Sequence, residues 1–324
     1  MIGRFPGFCF VFAVSALTGT AGAQQPARVP VVGVLVTHAA VNDPTFEPFR
    51  VGLREFGYEE GRNIKLEIVT AAGQLDRLPG LAQELARHKV DMIISPNDVS
   101  AQAAPKATTT IPIVVTGFGK DPVRSGLVDS FARPGGNVTG LYGHYLDLDG
   151  KLLQILKEML PGASRVAVFR GAGFGNPSGD LQRAGQLLRV GLDFTEVRGP
   201  GDLEPAFKAA KRVKADAVML LAAPIFYVDR ARAASLARDA KLPTISSFNQ
   251  FVEAGGLISY GADLFENWKR TAYYVDRLLK GAKPSDLPIE QVSKLKLAVN
   301  LKTAKALGIT VPQSILLRAD EVIR

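Results

Sequence analysis

From Val31 onward the chain alternates short apolar runs with amphipathic stretches, and it does so twice over. The strand-like runs of the first set are Val31–Val36, Asn63–Val69, Val90–Ser95 and Ile111–Thr116; those of the second are Arg165–Arg170, Phe194–Arg198, Ala215–Leu221 and Pro243–Phe248. Many are unbroken Val/Ile/Leu/Ala segments, the pattern of parallel strands covered on both faces. Helical patterns lie between them at Phe46–Phe56, Leu75–His88, Gln182–Val190, Glu204–Val213 and Tyr227–Ala240. Within Leu75–His88, Leu78, Leu81, Ala82, Leu85 and Ala86 fall on one stripe of a 3.6-residue period. Strand–helix alternation of this kind predicts an α/β fold of parallel sheets with right-handed crossovers.

The two sets repeat one plan. Asp91 opens the run Met92–Ile94 and Pro112 precedes Ile113–Val115; Asp216 opens Ala217–Met219 and Pro243 precedes Thr244–Ile245. A proline at the entrance of a strand gives up an N–H that the ladder does not yet need. The same order in both halves indicates an internal duplication, and hence two Rossmann-like lobes joined near Gly140–Leu148 and Gly256–Gly261. The amphipathic segment Asp263–Lys280 follows a completed second set, with Leu264, Trp268, Ala272, Val275 and Leu279 on one side and Gly281 and Pro284 as stops. It is expected to return to the first lobe, with Leu295–Val299 leading back to the second. The expected lobes are thus 29–142 plus 262–296 and 143–261 plus 297–324. A waist crossed repeatedly is a hinge, and a hinge between like lobes makes a cleft.

The first residues bear on compartment. Arg4 precedes the ten-residue apolar run Phe8–Leu17, and Ala21-Gly22-Ala23 has the small-x-small form of a cleavage site. A secretory signal over residues 1–23, cut near Ala23, is expected; the run is too short to span a bilayer. Cys9, the single cysteine, lies inside that run, so the mature chain has no thiol for a disulfide, a nucleophile or a zinc site. The formal charge of +8 raises the question of nucleic acid. The basic residues are scattered among acids on helices such as Lys208–Arg212 and Arg230–Arg232, which fits solvated faces and no nucleic-acid partner.

Several segments resemble one family. They are Phe49–Asn63 (FRVGLREFGYEEGRN), Gly73–Pro79 (GQLDRLP), Asp121-Pro122-Val123, Ala132–Gly140 (ARPGGNVTG), Phe251–Gly256 (FVEAGG), Ser259-Tyr260-Gly261 and Asn300–Gly308 (NLKTAKALG). Taken together they resemble the ABC transporter substrate-binding family whose best-known branch binds tryptophan and tyrosine, over nearly the whole span from Val31 to Arg324. The resemblance implies a periplasmic-binding-protein type I fold and an exported, periplasmic monomer that serves an ABC permease in the membrane. Its small ligand would be held between the lobes, with no cofactor and no catalysis. Two loops depart from the family pattern: Ser95-Pro96-Asn97-Asp98-Val99, where the family usually has a Gly-Thr-Pro-type turn, and the glycine-rich Gly171–Pro177.

Other motifs are weaker. Gly171-Ala172-Gly173-Phe174-Gly175-Asn176 follows a strand as a dinucleotide turn would, with Glu196 where a ribose-binding acid could sit. Asn176 and Pro177 break that fingerprint, and a helix N-terminus facing a ligand is the preferred reading. His38, His88 and His144 are far apart in sequence and form no metal pattern. Ser246-Ser247 lacks the glycines of a nucleophile elbow, and Asp147–Gly150 lacks the glutamate of a calcium loop.

Open α/β sheets bind ligands at strand C-terminal edges. Those edges carry Thr37 and His38; Ser95, Asn97 and Asp98; Thr116 and Phe118; Phe174 and Asn176; Pro224, Phe226 and Tyr227; Ser247 and Phe248; with Tyr142 and Tyr260 on the crossovers. Hydroxyls and amides suit a carboxylate, and aromatic rings suit an apolar or planar body. Thr37, Ser95, Asn97 and Asn176 are expected as polar anchors, and Phe118, Phe226 and Tyr260 as walls. The solute expected is a small carboxylate-bearing molecule such as a hydrophobic or aromatic amino acid. An exported Rossmann-like enzyme and a sensory ligand-binding ectodomain are the alternatives.

Overall fold

A computed structural model of the protein describes residues 1, 3, 28–143, 148–174, 179–292 and 294–324. The expected leader falls outside these residues except for positions 1 and 3, and so do His144, Asn176 and Pro177. Two sheets organise the chain. The first holds β1 (Val31–Val36), β2 (Lys65–Thr70), β3 (Met92–Ser95), β4 (Ile113–Phe118), β5 (Val138–Tyr142) and, late in the sequence, β11 (Glu290–Gln291), in the order β11-β5-β4-β3-β1-β2. The second holds β6 (Arg165–Gly171), β7 (Gly191–Val197), β8 (Ala217–Leu220), β9 (Thr244–Ser246), β10 (Ile258–Ala262), β12 (Leu295–Asn300) and β13 (Glu321–Ile323), in the order β13-β12-β10-β9-β8-β6-β7. All pairs are parallel except β10 with β12.

The helices are α1 (Glu47–Glu55), α2 (Leu78–Arg87), α3 (Asp98–Ala107), α4 (Asp149–Met159), α5 (Gly179–Leu188), α6 (Leu203–Arg212), α7 (Pro224–Val228), α8 (Arg230–Ala240), α9 (Asn249–Glu253), α10 (Leu264–Leu279), α11 (Leu301–Ala306) and α12 (Gln313–Arg318). None in the described residues is long and apolar enough to cross a membrane. Successive residues of the buried strands feed opposite faces. Val32, Val34 and Ile94 pack with Phe49, Leu53, Ala272 and Val275 of α1 and α10, whereas Leu35, Ile93 and Ile113 pack with Leu78, Ala82 and Leu85 of α2 and Ala101 and Ala104 of α3. Val166, Val168 and Met219 meet α4 and α5 on one side of the second sheet, and Ala167, Phe169 and Leu220 meet α6 and α8 on the other. Four cores, one per sheet face, explain the unbroken apolar runs.

The duplication is written into the backbone hydrogen bonds. The first five strands of each sheet run in one order, 2-1-3-4-5 and 7-6-8-9-10. Asp91 Oδ2 accepts from Val31 N at 2.7 Å, and Asp216 Oδ2 accepts from Ser164 N and Arg165 N at 2.7 and 2.9 Å. Each aspartate thus closes the entrance of the first strand of its lobe, β1 or β6. The two prolines also match: Ile93 N donates to Pro112 O and Val218 N to Pro243 O, both at 2.8 Å.

The segments expected as joins are in part strand. Val138–Tyr142 and Ile258–Ala262 are full strands, because their alternating residues find ladder partners in β4 and β9. The passages between lobes lie beyond them, from β5 to α4, from β10 to α10 and from β11 to β12. As expected, α10 packs on α1 and β4 of the first lobe, and β12 pairs with β10 of the second. Asp263 caps α10 by accepting from Phe265 N at 3.0 Å and pairs with Lys296 at the start of β12 at 2.5 Å, tying two of the three passages together. The expected helix Tyr227–Ala240 divides into α7 and α8 at Asp229, whose φ of −94° and ψ of 24° leave the helical region.

Candidate functional site

A cavity of about 120 Å³ lies where the C-terminal ends of β1, β3 and β4 face the segments after β8 and β9. With a 2-1-3-4-5 strand order, this is the crevice that such sheets use for ligands. The lobes touch around it. The His38 ring lies 6.3 Å from that of Phe174, and Val228 packs on the first lobe's core.

One wall is polar. Asn97 is the N-cap of α3: its Oδ1 accepts from Val99 N and Ser100 N at 3.1 and 3.2 Å. With the oxygen committed to the helix, the amide Nδ2 turns toward β1 and donates to Thr37 Oγ1 at 3.2 Å. A hydroxyl that accepts a bond keeps its own hydrogen to give. Thr37 is 1% exposed and lines the cavity, so that hydrogen is available to a solute held there. Asp98 accepts from Gly119 N at 2.9 Å and Lys120 N at 3.3 Å, which pins the loop after β4. Burial pushes its carboxyl above the usual range, and the two N–H bonds act against that shift. Thr45 and Thr116 complete this side.

The rest is aromatic: Phe46, Phe174, Tyr227, Phe248 and Trp268. Trp268 is edge-on to Phe46 at 5.4 Å, and Tyr227 is edge-on to Phe248 at 5.6 Å. Burial pushes the Tyr227 phenol up to about 12, so it stays a hydroxyl. His38 borders a second, shallower cavity of about 390 Å³ with Gly73, Arg198 and Asp229. Its ring is hydrogen-bonded to the Arg198 backbone of the other lobe, and burial lowers its pKa.

Of the residues singled out from the sequence, Thr37, Asn97, Asp98, Thr116, Phe174, Pro224, Tyr227 and Phe248 line the main cavity, and His38 borders the second cavity beside it. Phe118, expected as a wall, is packed on the α2/α3 side with Val115 and Ile113. Simple alternation would place it with Thr116. A register irregularity between Val115 and Phe118 turns it over, and Gly140 makes room: a Cβ there would sit 2.1 Å from Val115 O. Phe226, also expected as a wall, points into the second lobe's core because α7 begins at Pro224, and its neighbour Tyr227 reaches the cavity instead. Tyr142 packs on Phe131 at 5.3 Å, Tyr260 packs against the α4/α5 core, and Ser95 is buried beneath the loop that lines the cavity. Asn176 lies outside the described residues.

Sequence reasoning missed Thr45, Phe46 and Trp268 as cavity residues. Leu264 and Trp268 were legible only as the start of a helical stripe. In the fold the first turns of α10 reach the cavity, so the N-terminal end of the stripe lines it while Ala272 and Val275 fill the core.

The sequence profile of the ABC transporter substrate binding protein family matches residues 29–323. The chain is 27% identical over 278 residues to a tyrosine-binding protein of Clostridioides difficile, covering 85% of this chain and 79% of the relative. Among solved structures, a conserved domain protein of Vibrio cholerae superposes with a TM-score of 0.78 at 27% identity, covering 91% of this chain and 100% of that one. A Streptococcus ABC domain in complex with L-Trp superposes with a TM-score of 0.75 at 24% identity, covering 91% and 99%, and shares the fold.

Proposed function

The chain belongs to the ABC transporter substrate binding protein family, and from that premise we propose that it captures an aromatic or other apolar amino acid outside the cytoplasm for an ABC permease. The observation that carries the reading is the cavity between the lobes, with hydroxyl and amide groups on one wall and five aromatic rings around the rest. At roughly 10–15 Å³ for each water-sized body, its volume holds about ten, the scale of a small organic solute. The tyrosine-binding relative supports an aromatic side chain.

Thr37, held by Asn97, donates to the solute's carboxylate or carbonyl oxygen. Thr45 and Thr116 are the neighbouring hydroxyls, and Phe46, Trp268, Tyr227 and Phe248 enclose the apolar body. A wrong solute would leave Thr37 and its neighbours buried without partners, and discrimination follows from that cost. The protein releases its solute unaltered. In this reading it is a monomer with no nucleic-acid partner, directed to the periplasm by residues 1–23, with hinged lobes of 29–142 plus 262–296 and 143–261 plus 297–324.

The test is a thermal-shift screen of the chain from residue 24 onward against the amino acids and aromatic acids. A true ligand at a hundred times its Kd adds about 2.7 kcal/mol to stability. A flat response across the whole set would refute the ligand class.

A further inference from the structure

Asp98 is the one charged residue among those that line the main cavity in the described structure; no lysine or arginine joins it. Its carboxylate is held in place by Gly119 N and Lys120 N, one on each oxygen. Two carboxylate oxygens offer about four acceptor positions, so two backbone bonds leave capacity for a third partner. Around it stand the rings of Phe46, Trp268, Tyr227, Phe248 and Phe174, whose faces attract cations and give nothing to anions. The charges that act on the Tyr227 hydroxyl are the Arg230 guanidinium, which stands over the ring at 5.2 Å and is not among the cavity-lining residues, and three carboxylates, Asp43, Glu253 and Asp263. Lys120, at the rim, is exposed. Burial raises the Asp98 pKa and outweighs the backbone N–H bonds and the Lys120 charge that act to keep it ionised, so a ligand that brings a positive charge into the cavity lowers that remaining cost.

We propose that the feature this cavity requires of its solute is a protonated amine, seated on the Asp98 carboxylate and facing the aromatic wall, and that Asp98 is the residue that rejects simple carboxylic acids. This deepens the reading of the cavity as the ligand site and rests on it. The solute class is narrowed to ammonium-bearing molecules with an apolar or aromatic body. An acid lacking the amine would face Asp98 with like charge, and its carboxylate would have only the hydroxyls of Thr37, Thr45 and Thr116 in compensation.

Calorimetry on the chain from residue 24 onward separates the possibilities with matched probes: L-tyrosine, tyramine and 3-(4-hydroxyphenyl)propionate, and the corresponding phenyl and indole trios. The amino acid and the amine are expected to bind, and the acid to bind about 100-fold more weakly than the amino acid or not at all. Asp98→Asn should weaken the amino acid by about 10- to 100-fold and close the gap between amine and acid, with far-UV circular dichroism reporting that the fold is kept. The ranking on the unaltered protein stands as a test even where Asp98→Asn fails to fold. An acid that binds as well as its amino acid, or an Asp98→Asn protein with unchanged affinities, overturns the proposal while leaving a carboxylate-binding function intact. Silence from every probe overturns both.

Discussion

Asn97 joins helix stability to ligand chemistry, and two substitutions pull those roles apart. Asn97→Ala removes the acceptor for Val99 N and Ser100 N and the donor to Thr37 together. Loss of an N-cap costs about 1 kcal/mol, within a range of roughly 0.5–2. The long neutral bond to Thr37 adds about 0.5 kcal/mol. The sum of about 1.5 kcal/mol corresponds to a fall in Tm of about 2–3 °C for a chain of this size, at roughly 2.1 cal/mol/K of unfolding entropy per residue. Asn97→Ser keeps a cap of equal rank and so should hold stability to within about 0.5 kcal/mol. Its shorter side chain cannot reach Thr37, whose hydroxyl then turns freely and loses its aim at the solute. Affinity for L-tyrosine by calorimetry should drop about fivefold, the worth of one neutral hydrogen bond of about 1 kcal/mol. Thr37→Val should produce a loss of the same order. Because Asn97 acts through Thr37, the two losses should not add in the double variant. Full affinity in Asn97→Ser, or strict additivity with Thr37→Val, would refute the relay.

Three further outcomes are expected. Gly140→Ala places a Cβ 2.1 Å from Val115 O and 2.6 Å from Val115 N at a φ of +139°; backbone cannot yield there as a side chain would, so urea denaturation should show a loss above about 3 kcal/mol. Gly173→Ala, with a φ of +81°, brings a Cβ to 2.4 Å from Leu75 Cδ1 across the cleft; ligand affinity should fall about tenfold, with partial recovery when Leu75 is also cut to alanine. His38 gives a pH dependence. Burial lowers its pKa in the folded protein, so the unfolded chain binds a proton more readily. The stability tied to neutral His38 is therefore complete above about pH 6.5 and declines as the pH falls below that value. Thermal melts between pH 5 and 8 should show a decline on the acid side that His38→Gln flattens.

The alternation of apolar runs and amphipathic stretches was enough to read two parallel sheets with helices on both faces, because burial on two sides demands unbroken Val/Ile/Leu segments. The duplication was legible in Asp91, Pro112, Asp216 and Pro243, since each does a local backbone job at a strand entrance. Thr37, Asn97, Asp98, Thr116 and Phe248 could be placed at the cleft because strand ends are visible in sequence.

Contacts that depend on direction were not visible. Period-two alternation assigns Phe118 to one face, and only the irregularity beside Gly140 reveals that it lies on the other. The start of α7 at Pro224 decides between Phe226 and Tyr227, since one residue along a helix turns a side chain by about 100°. Trp268 and Phe46 meet in the cavity from positions more than two hundred residues apart, brought together by the return of α10 to the first lobe. The amino-acid order determined which segments become strands and helices and that two like sets of them follow one another. Which side chains share the cavity was left to the tertiary packing, because a site is a set of directions in space and local sequence carries only the period with which those directions repeat.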